Sequence, residues 1–312
     1  MNNVVKQYFD KSRFLTTKNK IYAETCLQLF DFQTKQDKVG ADVTSKIING
    51  KYKDSKAVII ARQTGIVAGI EEVIYLIGKK TNLKTKIIVK DGTTIKEKDI
   101  LIELTGNPLE ILKFERTVLN ILQRMSGIAT LTNSLFIKNN LKTPLAATRK
   151  TLWGLLDKKA VFIGGGLTHR LSLFDEILIK DNHIDILAKK SQVTRLESLK
   201  KILDFIKKSR VKNSFEIEVK NEKEAYYLNN FYQKINIPAS LIIMLDNFEP
   251  HIAAKTIKTI RKQKHTSEII FELSGGINEN NIKDYDQVGA DVISLGSLTH
   301  SSKALDISLE LL

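Results

Sequence analysis

The sequence lacks several features that would each point to a particular class of protein. Cys26 is the single cysteine in 312 residues, so the chain can form neither an intrachain disulfide nor a cysteine-rich zinc site. No uninterrupted apolar run approaches the roughly 18 residues of a membrane span, and the opening residues show no signal-peptide core. We therefore expect a soluble, cytoplasmic protein with no membrane partner.

Aromatic residues are also few, at 7%, although the chain has a net charge of +14. Such an excess favours an anionic partner: nucleic acid, an anionic membrane surface, or a small molecule rich in phosphate and carboxylate. Nucleic-acid binding usually needs aromatic residues among the basic ones, or a recognisable reading module, and we find neither. A basic nucleic-acid-binding protein remains the alternative, and an anionic small molecule is favoured.

The chain divides into two regions with different patterns. Up to residue 110, helices are predicted at 21–32 and 65–78, and strands at 57–62, 84–90 and 99–104. A long helix follows from residue 107 to 140, with Gly127 as an interruption. After Leu141 short apolar strands alternate with helices, a pattern typical of a parallel sheet that is covered on both faces.

Seven strands are predicted in this second region, at 144–148, 160–164, 176–180, 215–219, 241–245, 269–273 and 291–295. Helices are predicted at 191–208, 221–231, 249–263, 278–286 and 302–311. No G-x-G-x-x-G fingerprint follows a strand, which disfavours a dinucleotide-binding sheet and favours a closed barrel. The predicted fold class is therefore α/β.

Charged, polar or glycine residues follow every predicted strand. In a β/α barrel the carboxyl ends of the strands form the active-site face, so these residues should converge. Two carboxylates, Glu218 and Asp246, suit Mg²⁺ or ribose hydroxyls, and glycine-rich turns suit phosphate. The combination predicts a phosphorylated sugar with a pyrophosphate beside a second acidic substrate, held by the basic residues Arg149, Lys150, His169, Arg170 and Lys180.

Simpler interpretations exist for individual residues. Glu216 faces the same side of its strand as Glu218 and could form a buried ion pair with a lysine. His169 could serve to orient Arg170. Asp181, Asn182 and His183 could cap the following helix.

With these residues identified, the chain resembles the decarboxylating quinolinate phosphoribosyltransferases, also called nicotinate-nucleotide pyrophosphorylases. The resemblance covers about residues 20–312. It rests on phrases that occur in the family's order: ADVT (41–44), ERTVLNILQRMSGIATLT (115–132), TRKT (148–151), GGGLTHRLSLFDEILIKDNH (164–183), EIEV (216–219), MLDN (244–247), SGGI (274–277) and LGSLTHSSKALDISLEL (295–311).

The resemblance implies an N-terminal α/β sandwich domain over 1–118 and an incomplete seven-stranded parallel β/α barrel over 119–299. The C-terminal segment 300–312 is expected to pack on the first domain. It also implies a homodimer, or a higher even oligomer, in which Arg116 completes the active site of the neighbouring subunit. The implied reaction joins quinolinate to phosphoribosyl pyrophosphate and releases pyrophosphate and CO₂, giving nicotinate mononucleotide for NAD biosynthesis.

Site residues are carried over by position. Lys150, Lys180, Glu218 and Asp246 are the implied catalytic groups, with Glu218 and Asp246 also meeting the ribose and Mg²⁺, in part through water. The other implied substrate contacts are Arg116, Thr148, Arg149, His169, Arg170, Ser274, Gly275, Gly276, Leu295, Gly296 and Ser297.

One segment departs from the family's pattern. The family usually has a proline two residues after TRKT, where this chain has Trp153, and about two residues are missing before the next element. This predicts a reshaped loop after the first strand. A related subgroup associated with molybdenum utilisation shares the fold and is the alternative within the family, but the intact Arg149, Lys150, His169, Arg170 and IKDNH phrase argue against it.

Overall fold

The computed structural model describes residues 3–48, 50–235, 237–263 and 268–312. Within these ranges the α-helices are α1 Asn3–Phe9, α2 Lys20–Gln36, α3 Val43–Ile47, α4 Ile70–Lys80, α5 Pro108–Asn139, α6 Leu155–Ile163, α7 Asp181–Ser191, α8 Arg195–Lys208, α9 Glu222–Tyr232, α10 Pro250–Arg261, α11 Ile282–Tyr285 and α12 Ser297–His300. The strands are β1 Ser55–Ala61, β2 Gly65–Ile66, β3 Lys84–Ile87, β4 Thr94–Ile95, β5 Ile100–Gly106, β6 Leu145–Ala147, β7 Ile177–Ile179, β8 Phe215–Val219, β9 Leu241–Asp246, β10 Ile269–Ser274, β11 Val292–Leu295 and β12 Ile307–Leu311.

The chain folds into two compact units, and each unit combines segments that are not consecutive in the sequence. The first, the barrel unit, contains the segment through Lys11, Leu135–Arg149 and His169–Leu295. The second, the sandwich unit, contains Ser12–Ser134, Lys150–Thr168 and Gly296–Leu312. Each of the predicted site residues therefore belongs to one unit or the other, and they are described unit by unit below.

The sandwich unit is built on an antiparallel sheet in the order β12-β1-β5-β3. Residues 57–61 of β1 are all buried, as expected for a central strand, whereas β3 at the edge is mostly exposed. Helix α5 continues through Gly127, where an interruption was predicted. A Cβ at Gly127 would lie 2.0 Å from the carbonyl oxygen of Lys303, so the glycine permits a close backbone approach and does not end the helix.

The barrel unit is built on a parallel sheet in the order β6-β11-β10-β9-β8-β7. Its central strands are buried on both faces, which explains the nearly continuous apolar sequence of β9 and β10. The predicted fold class is confirmed: a mixed α/β chain with a curled half-barrel and a separate smaller sheet. Among the described strands this sheet has six members, because one of the seven predicted strands is absent.

The strand predicted at 160–164 is wrong, since these residues belong to the end of helix α6 and the turn after it. A short apolar run does not distinguish a buried strand from a buried helix, and here Leu156, Ala160 and Val161 recur at helical spacing on the buried face. The helix predicted at 302–311 is also wrong. Residues 307–311 alternate in polarity with a period of two and pair with β1, and this alternation was the signal for a strand.

The helix predicted at 65–78 begins late, at Ile70. Gly65 and Ile66 form the short strand β2, and Gly69 has a φ of 103°, a left-handed value that precedes the helix. The carboxylate of Asp91 accepts hydrogen bonds from the amides of Ile70 and Glu71, so the helix is capped by a residue distant in sequence.

Candidate active site

The carboxyl ends of the parallel strands gather the predicted site residues of the barrel unit along one edge. The pairing places Ser274 of β10 opposite Asp246 of β9, and Leu295 of β11 opposite Ala147 of β6. The other members follow or end neighbouring strands at the same edge: Thr148, Arg149, Lys180, Glu218, Gly275 and Gly276. The sequence-based expectation that these strand ends share one edge is met by this register.

Glu218 and Asp246 lie on adjacent strands, and the charge of Asp246 affects the ionisation of Glu218. Burial, followed by the charges of Asp246 and Asp181, raises the pKa of Glu218 to about 7, against the opposing charge of Lys180. Two carboxylates near enough to repel each other form a site that attracts a cation. Their oxygen donors fit Mg²⁺, which binds through one or two carboxylates and keeps several waters.

A glycine turn lies directly against Asp246. Gly275 has a φ of 82°, and a Cβ built there would lie 2.6 Å from both the carboxylate of Asp246 and the amide group of Asn247. Asn247 has a φ of 57°, donates from its side chain to Asp246 at 2.8 Å, and donates from its backbone to Ser274 at 2.8 Å. The turn therefore requires glycine, because any side chain there would collide with Asp246 and Asn247.

Lys180 is exposed and precedes helix α7. Its backbone amide donates to Nδ1 of His183 at 2.8 Å, so His183 caps the helix, which confirms that interpretation of the IKDNH phrase. Asp181 pairs with Lys220 at 2.9 Å, and this contact lowers the pKa of Asp181. The first turn of α7, which directly follows Lys180, is therefore fixed by two contacts.

His169 lies in the interior of the barrel unit between two buried carboxylates. Its Nε2 is 3.3 Å from Glu216 and 3.3 Å from Glu272. The ion pair expected for Glu216 is therefore present, but its partner is a histidine and not a lysine. Tyr8 adds a hydroxyl 3.1 Å from the Glu216 carboxylate and 3.1 Å from the carbonyl of Ile177.

The protonation of His169 depends on opposing effects. Burial alone would lower its pKa, but the charges of Glu272 and Glu216 raise the pKa to about 9. In the neutral ring, Nδ1 can accept the amide of Arg170, which lies 2.6 Å away, and this contact places the remaining proton on Nε2. Nε2 carries a proton in either state, so it faces the two carboxylates as a donor.

One ligand atom each from His169, Glu216 and Glu272 could surround a metal ion, since these atoms lie within 4.8 Å of one another. A metal on Nε2 would require the proton to move to Nδ1, where the Arg170 amide already donates. The geometry therefore favours a hydrogen-bonded ion cluster over a metal site.

Arg170 is also enclosed, with 6% of its surface exposed. Its Nη1 donates to the carbonyl of Glu176 at 2.9 Å, while its buried Nε finds no hydrogen-bond partner among the described residues. The backbone of His169, held at a φ of 51°, donates to the carbonyl of Phe9 at 2.8 Å. Helix α1 therefore packs directly on the two residues.

The remaining predicted site residues belong to the sandwich unit. Lys150 is exposed, and the hydroxyl of Thr299 lies 2.7 Å from its backbone carbonyl. A Cβ at Gly296 would lie 3.0 Å from Cδ of Lys150, which brings this lysine side chain close to the turn that contains Ser297. Arg116 is exposed on helix α5.

Sequence reasoning missed Tyr8, Glu272 and Asp157. Glu272 left a signal, because a single acidic residue stands in the otherwise apolar IIFEL strand and so needs a buried partner. Tyr8 left none, since its hydroxyl contacts residues far away in the sequence. No helix among the described residues is long and apolar enough to cross a membrane.

The fold and this strand edge define an α/β half-barrel protein with a carboxylate pair and a glycine turn at the carboxyl ends of its strands. Comparison with known families agrees. The profile described as "Quinolinate phosphoribosyl transferase, C-terminal domain" matches residues 128–310, and that of the N-terminal domain matches residues 42–126. The chain belongs to the quinolinate phosphoribosyl transferase family.

Individual relatives cover most of the chain. A probable nicotinate-nucleotide pyrophosphorylase (carboxylating) of Methanocaldococcus jannaschii is 39% identical over 86% of this chain and 91% of its own length. A quinolinate phosphoribosyltransferase (decarboxylating), 2b, of Nicotiana tabacum is 34% identical over 86% of this chain and 77% of its own. The structure of the nicotinate-nucleotide pyrophosphorylase from Francisella tularensis superposes with a TM-score of 0.77 at 31% identity, covering 93% of this chain and 96% of that one.

Proposed function

We propose that this protein transfers the phosphoribosyl group of phosphoribosyl pyrophosphate to quinolinate and releases pyrophosphate and CO₂, giving nicotinate mononucleotide for NAD biosynthesis. Family membership and the names of the relatives support the reaction class. The observation that carries the proposal is the close approach of the Gly275 backbone to the carboxylate of Asp246, beside Glu218 on the next strand. Such an edge suits a ribose with attached phosphates.

In this proposal Glu218 and Asp246 hold the ribose. Their oxygens accept hydrogen bonds from its hydroxyls, and their charge stabilises the positive charge that develops on the sugar as pyrophosphate leaves. Mg²⁺ bound by the same pair would neutralise charge on the departing pyrophosphate. The phosphates are assigned to the glycine turn and the turn after β11, through Ser274, Gly275, Gly276, Leu295, Gly296 and Ser297.

The basic residues hold the two carboxylates of quinolinate. Lys150 is assigned to these carboxylates, as are Thr148 and Arg149, and Lys180 is assigned to the position between the two substrates. Arg170 would contribute Nε, a donor for which the described part of the chain supplies no acceptor, while His169 fixes its backbone. Once the ring nitrogen carries the ribose, the adjacent carboxylate can leave as CO₂, because the pyridinium stabilises the remaining electron pair.

We further propose a homodimer in which Arg116 of one subunit completes the site of the other. The exposure of Arg116 on α5 supports this, since an exposed arginine is available to a neighbouring subunit. If Arg116→Ala and Lys150→Ala are each inactive, mixed dimers should contain one intact site and recover activity towards half. Subunit exchange without recovery would contradict the shared site. The cytoplasmic location stays a prediction.

The function is tested by supplying phosphoribosyl pyrophosphate and Mg²⁺ with quinolinate, nicotinate or nicotinamide in parallel. We expect product and CO₂ only with quinolinate, and no turnover after chelation of Mg²⁺. Product from nicotinate alone would show that a monocarboxylate is the substrate and would overturn the proposal. Salt-sensitive binding to nucleic acid without any turnover would support the other class of function.

A further inference from the structure

The loop that carries Lys150 is organised by a buried carboxylate. Asp157 is fully buried in the sandwich unit. It accepts two parallel hydrogen bonds from Arg124, at 2.8 Å from Nε and 2.7 Å from Nη2. It also accepts the backbone amides of Leu152 at 3.0 Å and Trp153 at 3.1 Å. A charged pair of this geometry fixes the direction of the loop as well as its position.

The same arginine reaches the other side of Lys150. Nη2 of Arg124 donates to the carbonyl of Thr299 at 3.1 Å, and the Thr299 hydroxyl lies 2.7 Å from the carbonyl of Lys150. The backbone of Lys150 is therefore held through its own carbonyl and through the amides two and three residues later. Both connections run through the Arg124–Asp157 pair.

This arrangement compensates for the absence of a proline at Trp153, where the sequence resemblance predicts one. A proline at that position would restrict the backbone by itself and would have no N–H to satisfy. Trp153 lacks that restriction and brings an amide, which Asp157 accepts. The guanidinium of Arg124 lies 5.2 Å from the centre of the Trp153 ring, so the ring packs on the same pair.

We propose that Asp157, with Arg124 and Thr299, is a positioning residue that holds Lys150 in its reactive place in a loop without the proline. This inference rests on the proposed function, because it takes Lys150 to contact quinolinate. Small displacements of a catalytic group reduce turnover strongly, so the effect should exceed that of an ordinary surface substitution.

Trp153 is the single tryptophan of the chain and reports on the loop without any assay of activity. The test compares Asp157→Asn with wild type by acrylamide quenching of Trp153 and by steady-state kinetics. We expect easier quenching and a loss of about 10- to 100-fold in kcat/KM for quinolinate. The matched control is Asp286→Asn, which removes a carboxylate that accepts the amides of Lys142 and Thr143 in the barrel unit. It should leave both readouts as in wild type.

A purely structural role of Asp157 is distinguished from a positioning role by testing whether the effect of Asp157→Asn depends on Lys150. In a Lys150→Met background, Asp157→Asn should cause no further loss of quinolinate affinity measured by calorimetry, because the group that it positions is gone. An equal loss in both backgrounds would overturn the proposal. So would altered quenching with unchanged kcat/KM. If Asp157→Asn does not fold, Thr299→Val removes only the hydroxyl beside the Lys150 carbonyl and should give the same kinetic loss.

Failure of the proposed function gives a different result. If wild type neither binds nor converts quinolinate, the assignment of Lys150 to quinolinate is wrong whatever the loop does. If wild type turns over quinolinate while Asp157→Asn matches it in quenching and kcat/KM, the positioning role alone is wrong.

Discussion

The half-barrel contains two carboxylate pairs that the chain uses in opposite ways. Strand β8 supplies a member of each, Glu216 and Glu218, two residues apart and on the same face. Glu216 pairs across the interior with Glu272, is completely buried, and has His169 and Tyr8 as partners. Glu218 and Asp246 lie on adjacent strands near their carboxyl ends, and the charge of Asp246 acts on Glu218.

The difference shows that the position of an acidic residue along the strand, in the interior or near the carboxyl end, decides which partners it has. Inside the barrel the carboxylates repel each other, and a histidine and a tyrosine supplied by other segments offset that cost. At the strand ends the charge of Asp246 raises the pKa of Glu218 and Lys180 opposes it, while the side-chain amide of Asn247 donates to Asp246. The two pairs therefore differ in their partners: a histidine and a tyrosine in the interior, and a lysine and an amide near the edge.

The largest effect is expected from Asp246→Asn, which leaves the shape of the strand-end pair but removes one charge. Turnover of quinolinate should fall about 100-fold or more, because a charge aimed at the developing positive sugar is lost. Thermal stability should stay equal or rise, since the repulsion with Glu218 is relieved. Asp291→Asn is the control: it lies beside the amino end of β11 and pairs with Arg261 at 2.8 Å. Near-normal kcat in Asp246→Asn would contradict the assignment.

The interior pair should respond in the opposite way. His169→Ala leaves Glu216 and Glu272 facing each other without their histidine, and we expect a loss of about 3–5 kcal/mol in the free energy of unfolding. Adding Glu216→Gln to this variant should restore part of that loss, because the neutral amide removes the need to protonate a buried carboxyl whose pKa burial and Glu272 raise. Chemical denaturation of the three proteins measures both steps. A double variant no more stable than His169→Ala would show that the loss comes from packing.

A smaller effect is expected from Tyr8→Phe, which keeps the ring and removes the hydroxyl beside Glu216. The cost should be about 1–2 kcal/mol, the usual range for a buried hydrogen bond to a charged group. Tyr226→Phe is the matched control, because its hydroxyl makes a long 3.4 Å contact to Glu222 on the surface of α9. Equal shifts in the melting temperature of the two variants would mean that helix α1 adds little to the interior cluster.

Sequence reasoning identified the strand-end pair and not the interior one, for a physical reason. Glu218 lies one residue before the end of β8 and Asp246 ends β9, so their place near the edge follows from the order of parallel strands. The partners of Glu216 come from α1, from the segment before β7 and from β10, and no local pattern predicts that packing. The same limit explains the error at 160–164, where an apolar run fits a helix and a strand equally well. The roles assigned to individual site residues stay predictions.

The smallest effect concerns the ionisation of Glu218. Its pKa is raised from the ordinary 4.5 to about 7, first by burial and then by the charge of Asp246. In Asp246→Asn the second cause disappears, so the pKa of Glu218 should move down towards the ordinary value, with burial holding it above 4.5. Because the raised pKa means that the folded state binds more protons than the unfolded state between about pH 4.5 and 7, wild type should lose stability as the pH rises through this window. The variant should lose less.

Carboxyl ¹³C shifts recorded in the presence of a chelator measure the titration of Glu218 directly. Glu216 is the internal control: burial and Glu272 raise its pKa, so the substitution at the strand end should leave its titration unchanged. If both glutamates shift together, the two pairs are one electrostatic unit, and the contrast between the interior and the edge of the barrel does not hold.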